Sequence, residues 1–350
     1  MAKPPFHSVN LLIVPFLIGC AWLFAQTPTP ASPEFKTWVM AEFPDLPWGL
    51  GIDSKGNIYT SLVTSNEVVM LKNDGSYDHV AWVPSKEEAG KGGLIAGIDL
   101  DGENNIYVIF KASSKYDDDE MTNPFHPACR DATVTRSGVY KIDAKTRRVT
   151  ALATRADGWP FCFPHDVSVD SHGNVYMADV TYSAIWKILP DGKKVELWSA
   201  HPLLNAPSNP YSGFYVGVSA LTLDKQEKNI YAVTMGSPAV LKIPIKEDGS
   251  AGEPEALQPT GYSLLDGIEL DAKGNIFISE MLRSEIWALS PDGSQRTLIA
   301  SKANAPLDNN TSLLMKGDVL CTANFGFMHF PKIQEADRTV ICMRGFSVPK

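Results

Sequence analysis

His165 and Asp266 are the residues of this chain best suited to reaction chemistry. A carboxylate beside an imidazole can hold a divalent ion such as calcium or zinc, or the two can act as a base and its orienting partner. Asp166 adds a second carboxylate beside His165, although alternation along a strand turns it away from its neighbour's direction. Ser219, Asn310 and Thr311 bring neutral oxygens that could complete a metal's shell or hydrogen-bond a substrate. Trp48 and an insert over residues 111–136 could form a wall and lid, and Tyr215 stands on the approach to Ser219. The run Asp117 to Glu120 in that insert lacks the spacing and central glycine of a calcium loop. Nowhere is there a Gly-x-Ser-x-Gly elbow, a phosphate loop or a dinucleotide fingerprint.

These residues are singled out by their place in an internal repeat. Asp53-Ser-Lys-Gly56-Asn57-Ile58-Tyr59 returns as Asp101 to Tyr107, Asp170 to Tyr176, Asp224 to Tyr231 and Asp271 to Phe277, with a weaker sixth copy from Leu313 to Leu320. The five aromatic anchors lie 48, 69, 55 and 46 residues apart, a spacing suited to one four-stranded blade repeated around an axis. Each copy reads as an alternating apolar strand, an Asp-x-x-Gly-Asn hairpin turn and a returning strand. A third strand, such as residues 184–188, and a second Asp-Gly turn follow, and no amphipathic helix competes. The fold class is therefore all-β, a six-bladed β-propeller. In such a scaffold the repeated Asp, Gly and Asn are turn chemistry and the repeated Tyr and Trp are blade packing. Function is sought where the copies differ. Counting five residues back from each repeated Asp gives Trp48, Ala96, His165, Ser219 and Asp266, with Asn310 or Thr311 in the sixth copy, around one mouth.

Residues 1–25 carry Lys3 and an apolar run from Leu11 to Ala25, which reads as a secretory signal rather than as fold and is too short to span a bilayer. Two exits compete: cleavage after Ala25, or lipidation at Cys20, since Leu17-Ile18-Gly19-Cys20 resembles a lipoprotein box. Residues 26–40 form a Pro-rich leader and residues 41–350 the propeller. The expected location is periplasmic or secreted. The net charge of −9, without a long basic run, makes nucleic acid and anionic membranes poor partner candidates and leaves a small-molecule substrate or ligand as the expected partner. Four cysteines remain for an oxidising compartment; Cys129 with Cys162 and Cys321 with Cys342 are the favoured pairings, and no Cys-x-x-Cys spacing suggests zinc.

Phe163-Pro164-His165-Asp166-Val167-Ser168-Val169-Asp170, Leu264-Leu265-Asp266-Gly267-Ile268 and the closing Thr322-Ala323-Asn324-Phe325-Gly326 together resemble the SMP-30/gluconolactonase/LRE-like propellers, and more loosely NHL-repeat propellers. The resemblance covers nearly all of the chain after its leader. It implies hydrolysis of a lactone or related small ester with one divalent ion on the axis. Asp266 would be ligand and general base, His165 ligand or proton carrier, and Ser219 and Asn310 the rest of the shell; Trp48, Asp166, Tyr215 and Thr311 would meet substrate. His165 and Ser219 stand where that family carries asparagines, and no glutamate lies near Trp48. The competing expectation is a non-catalytic propeller that binds a small molecule or a protein. The Pro164-His165-Asp166-Val167 phrase also resembles a zinc-histidine motif of peptidyl-hydroxyglycine amidating lyases. Those enzymes place three histidines around the axis, and here His165 alone holds such a position.

Overall fold

A computed structural model describes residues 35–89, 93–112, 136–161, 163–204, 217–236, 239–258, 261–329 and 332–349. Cys20, Cys129, Cys162, Tyr215 and most of the 111–136 insert lie outside these residues, and so does the expected Cys129–Cys162 pair.

Five consecutive stretches each fold into a four-stranded antiparallel meander. Blade 1 is β2 (Pro47–Ile52), β3 (Ile58–Leu62), β4 (Glu67–Leu71) and β5 (Tyr77–Trp82). Blade 2 is β6 (Leu94–Leu100), β7 (Ile106–Lys111), β8 (Gly138–Ile142) and β9 (Val149–Ala153). A two-stranded hairpin, β10 (Arg155–Ala156) with β11 (Trp159–Pro160), precedes blade 3, which is β12 (Pro164–Val169), β13 (Val175–Asp179), β14 (Ala184–Ile188) and β15 (Val195–Ser199). Blade 4 is β16 (Val218–Leu223), β17 (Asn229–Thr234), β18 (Val240–Pro244) and β19 (Glu255–Gln258). Blade 5 is β20 (Leu265–Leu270), β21 (Ile276–Glu280), β22 (Glu285–Leu289) and β23 (Arg296–Ala300).

The sixth blade closes the ring with both ends of the chain. β24 (Asn310–Lys316), β25 (Val319–Asn324) and β26 (Thr339–Arg344) are completed on the outside by β1 (Lys36–Glu42), which pairs antiparallel with β26. The leader read from sequence to residue 40 thus yields residues 36–40 to the last blade. Cys321 and Cys342 face each other across β25 and β26 and form a disulfide, as the sequence suggested. This bond is consistent with an exported protein. The six innermost strands touch in cyclic order, with β24 returning to β2.

The local chemistry of the repeat explains the hairpins. In β2–β3 the Asp53 carboxylate accepts from the backbone N–H of Lys55 and Asn57 at 2.9 and 2.8 Å and from the Asn57 side chain at 2.7 Å. Asp170 and Asp271 make the same three bonds in their own turns. The positive φ that such a turn needs falls on Gly56, Gly173 and Gly274, and on Asn104 and Glu227 in the two copies without that glycine. The anchors Tyr59, Tyr107, Tyr176, Tyr231 and Phe277 are each buried in a different apolar cluster. Three of these tyrosines carry a lysine from the neighbouring strand over the ring face, Lys141, Lys187 and Lys242, at 5.2–5.9 Å from the centroid. Among the described residues no helix is long and apolar enough to cross a membrane.

Candidate functional site

Each innermost strand carries a register break at its axial position. The pairing skips His165 in β12, Ser219 in β16 and Asp266 in β20, and a two-residue step beginning at Trp48, Ala96 and Thr311 in β2, β6 and β24. A bulge re-aims a side chain, and six bulges at equivalent positions assemble one ring from six separate blades. Thr311, rather than Asn310, is the sixth member.

The polar members of the ring mostly bond the backbone of the next blade. Nδ1 of His165 lies 2.8 Å from the Ser219 carbonyl, the Ser219 hydroxyl 3.0 Å from the Leu265 carbonyl, and the Thr311 hydroxyl 3.2 Å from the Trp48 carbonyl. Ser61, one strand out, reaches the Ala96 carbonyl at 2.6 Å. Asp266 is the exception. It is 3 % exposed, neither carboxylate oxygen has a hydrogen-bond partner, and Oδ1 faces Nε2 of His165 at 3.5 Å. A carbonyl accepts, so Nδ1 of His165 carries the proton and Nε2 turns its lone pair toward Asp266. Ser219 between them is small, which is why residues from blades 3 and 5 meet above blade 4.

Burial fixes the protonation of this pair. It pushes the His165 imidazole down to about 4, against the opposing bond to the Ser219 carbonyl. Burial, reinforced by the charge of Asp166, pushes Asp266 well above the carboxylate range. Neither group is stabilised as an ion by an opposite charge, so the pair is neutral in the protein alone.

Asp166 does not join this pair directly. Its carboxylate accepts from the Leu221 N–H at 3.1 Å, on the unpaired edge of β16, and packs where a side chain on Gly97 would stand, with Oδ1 2.1 Å from the place of the missing Cβ. Asp99 likewise accepts from the Val169 N–H at 2.8 Å on the edge of β12, and Glu269 bonds the Leu270 and Met315 N–H groups. These carboxylates cap the sheet edges that face the axial channel. Each keeps partial solvent contact although protein surrounds it, as expected in a narrow channel. Burial raises Asp99 to about 6, Asp166 to about 7 and Glu269 to about 8.

Of the residues expected to hold a metal, the structure brings His165 and Asp266 together and leaves the other two aside. The Ser219 hydroxyl lies against the Val233 and Leu265 carbonyls, and the Asn310 amide donates to the Glu285 carbonyl at 3.2 Å, one residue short of the ring. Among the described residues no three His, Cys, Asp or Glu side chains converge. A carboxylate without donors beside an imidazole whose other nitrogen is anchored by a carbonyl nevertheless fits a divalent ion at two points.

Sequence reasoning missed the layer above the ring. The fourth residue after each aromatic anchor, at the end of the second strand, points into the mouth: Val63, Lys111, Val180, Met235 and Met281, with Phe325 in the sixth blade, where Cys321 replaces the anchor. Five of the six are apolar, and Phe163 and Leu264 join them in one buried cluster with Trp48. Trp48 sits edge-on to His165 with ring centroids 4.9 Å apart, and 4.5 Å from Phe325. Phe163 stands 5.5 Å from His165, with Lys111 over its ring at 5.2 Å. The signal in the sequence was the run of Val and Met at a fixed offset from the anchors.

No family model matches the chain. Peptidyl-alpha-hydroxyglycine alpha-amidating lyase 2 of Drosophila melanogaster is 25 % identical over 151 residues, 38 % of this chain; the match spans about a third of that relative, 35 %. Among solved structures, a gluconolactonase from Xanthomonas campestris superposes with a TM-score of 0.64 at 12 % identity, covering 91 % of both chains. The PQQ-bound aldose sugar dehydrogenase of Streptomyces coelicolor superposes at 0.58 and 13 % identity, covering 90 % of this chain and 99 % of its own. The six-bladed architecture is thus that of the gluconolactonases, as the sequence resemblance implied. The same scaffold carries a redox enzyme, so chemistry must be argued from the site.

Proposed function

We propose that this chain is an exported hydrolase of lactones or similar small esters, acting at His165 and Asp266. One observation carries the reading: the Asp266 carboxylate is buried with both oxygens unpartnered, 3.5 Å from a histidine nitrogen that is itself aimed by a backbone carbonyl. A buried polar group without partners costs roughly 1–3 kcal/mol, so its place on the axis is explained by something that binds there. The fold is one that a gluconolactonase also uses, so the scaffold is compatible with this reaction class.

The pair can take a proton from water and return it. His165 accepts at Nε2 while its Nδ1–H stays on the Ser219 carbonyl, and the Asp266 carboxyl, which burial keeps protonated, donates to the substrate carbonyl oxygen as the acyl carbon turns tetrahedral. The water oxygen adds to the acyl carbon, and the tetrahedral centre then expels the ring or ester oxygen. That oxygen receives the proton, giving a hydroxy acid from a lactone or an acid and alcohol from an ester. A divalent ion, calcium or zinc, would be held by Asp266 and by His165 Nε2 in place of that proton transfer, and would supply Lewis-acid polarisation of the carbonyl. Trp48 and Phe163 flank the imidazole and keep bulk water from it.

Initial rates on a lactone panel, with added calcium or zinc and with chelator, test this for the wild-type chain and Asp266→Asn. Turnover lost by at least about a thousandfold in the variant is expected, in line with removing a central acid–base group. Retained turnover in the variant, or a wild-type chain inert on every lactone and ester, would overturn it. A second reading, a lyase acting on peptidyl-α-hydroxyglycines, draws on the Drosophila relative. Release of glyoxylate and a peptide amide from such a substrate would favour it, and a single axial histidine speaks against it.

A further inference from the structure

We infer that the site takes a lactone or ester with an apolar aromatic or alkyl body, and not a polyhydroxylated sugar lactone; this rests on the hydrolase reading above. Asp266 and His165 are the ring side chains that backbone carbonyls leave unsaturated toward the mouth, and Trp48, Phe163, Met235, Met281 and Phe325 form a buried hydrophobic cluster beside them. Trp48, Phe163, Met235, Met281 and Phe325 come from five different blades and are each at most 8 % exposed, so they close over the pair by packing on one another. A substrate reaching Asp266 must part them and replace their contacts.

An apolar body does so with little loss, because it exchanges one hydrophobic surface for another. Met235 and Met281 belong to the same buried cluster as Trp48, and an unbranched thioether side chain repacks more readily than a branched or aromatic one. A sugar lactone would instead bury several hydroxyls. Polar side chains at this level are engaged by the protein itself: the Asn309 amide by the Met281 carbonyl at 3.0 Å and the Met328 N–H at 3.1 Å, Asp179 by the Phe163 N–H at 3.4 Å, Glu280 by the Leu264 N–H at 3.2 Å, and the Lys111 ammonium rests over Phe163. Each hydroxyl left without a partner lowers affinity by roughly tenfold to a hundredfold, so several exclude the sugar. The reacting end differs: the carbonyl and ring oxygen of the lactone meet His165 and Asp266, the groups in need of a partner.

The test compares dihydrocoumarin and a long-chain alkyl γ-lactone with glucono-δ-lactone. Turnover is measured on the wild-type full chain with calcium or zinc, and binding by titration calorimetry on Asp266→Asn. The expected result is kcat/KM at least about a hundredfold higher for the two apolar lactones, and heat of binding for those two alone. In Met235→Ala/Met281→Ala, KM for the alkyl lactone should rise about tenfold with kcat retained. Preference for glucono-δ-lactone overturns the inference while the hydrolase reading survives. Binding of the apolar lactones without turnover of any substrate upholds the apolar ligand class and overturns the hydrolase reading. Absence of both binding and turnover overturns both.

Discussion

Asp266 and Asp271 belong to one short segment of blade 5, and they meet opposite fates. Asp271 lies on the turn face, where its carboxylate accepts three hydrogen bonds of 2.7–2.9 Å from Lys273 and Asn275. Asp266 lies on the mouth face, five residues earlier in the sequence, and accepts none. The turn face repeats the same saturated chemistry at Asp53 and Asp170, whereas the mouth face puts a different side chain at each blade. A repeated, fully bonded carboxylate holds the scaffold together. An unrepeated, unbonded one weakens the scaffold and is kept for what it does.

The largest effect expected from breaking this contrast is functional. Asp266→Asn should abolish lactone turnover while the melting temperature stays level or rises, because a buried acid without partners is replaced by a neutral amide. Asp271→Ala should do the reverse, leaving kcat/KM unchanged below the transition and costing about 1–3 kcal/mol for the lost turn bonds. Paired melting curves and rate measurements on the two variants decide the matter, and equal losses of activity would dissolve the distinction.

Next in size is the seam of the ring. The Cys321–Cys342 disulfide closes a loop of 21 residues within the blade that β1 completes. Replacing both cysteines by alanine, or adding reductant, should lower stability by about 2–4 kcal/mol and expose β1 to proteolysis before the other blades. Uniform proteolysis would show that the seam is no weaker than the rest. Gly97→Ala should cost about 1–3 kcal/mol, since its new Cβ would stand 2.1 Å from the Asp166 carboxylate and 2.5 Å from its Cα. A neutral result would mean that Asp166 can move from the β16 edge at no cost.

The smallest effect is the pH response of the channel. Burial raises Asp99 to about 6 and Glu269 to about 8, against the bonds each accepts. A carboxyl whose pKa is higher in the fold than in the unfolded chain binds more protons in the fold. Its stabilising contribution is therefore complete below the unfolded value, about 4, and is lost as pH rises through the folded value. The melting temperature should fall between about pH 5 and pH 9, and Glu269→Gln should flatten the upper half of that slope. A rise across the window in the wild-type chain would contradict the placement of these acids in the channel wall.

Much of this architecture was legible in the residues. The Asp-x-x-Gly-Asn turns, the third strands over residues 138–142, 184–188 and 285–289 and the burial of the aromatic anchors followed from local rules, because turn geometry and strand alternation are set by neighbours in sequence. The ring positions Trp48, His165, Ser219 and Asp266 were found by counting along a period, and the bulges confirm the count. Asn310 was offered beside Thr311 because the sixth copy is too degenerate to fix its register, and pairing across β24 and β25 selects Thr311. Ser219 turns its hydroxyl to the Val233 and Leu265 carbonyls rather than to Asp266, and Asn310 is held through its amide N–H by the Glu285 carbonyl with its Oδ1 buried and unpartnered.

Residue order alone carried a six-fold repeat of hairpins and the positions that enter the axis; of the three pairings open to four cysteines, the fold chose Cys321 with Cys342. Tertiary structure alone decided which of those residues meet. Ala96 is small, so Trp48 reaches across it to His165; Ser219 is small, so His165 reaches across it to Asp266. The contacts join residues a full blade or more apart, and no local preference encodes them. They exist because closing the ring brings six bulges to one axis, where side-chain size decides which neighbours touch and an unpaired carboxylate is left facing an imidazole.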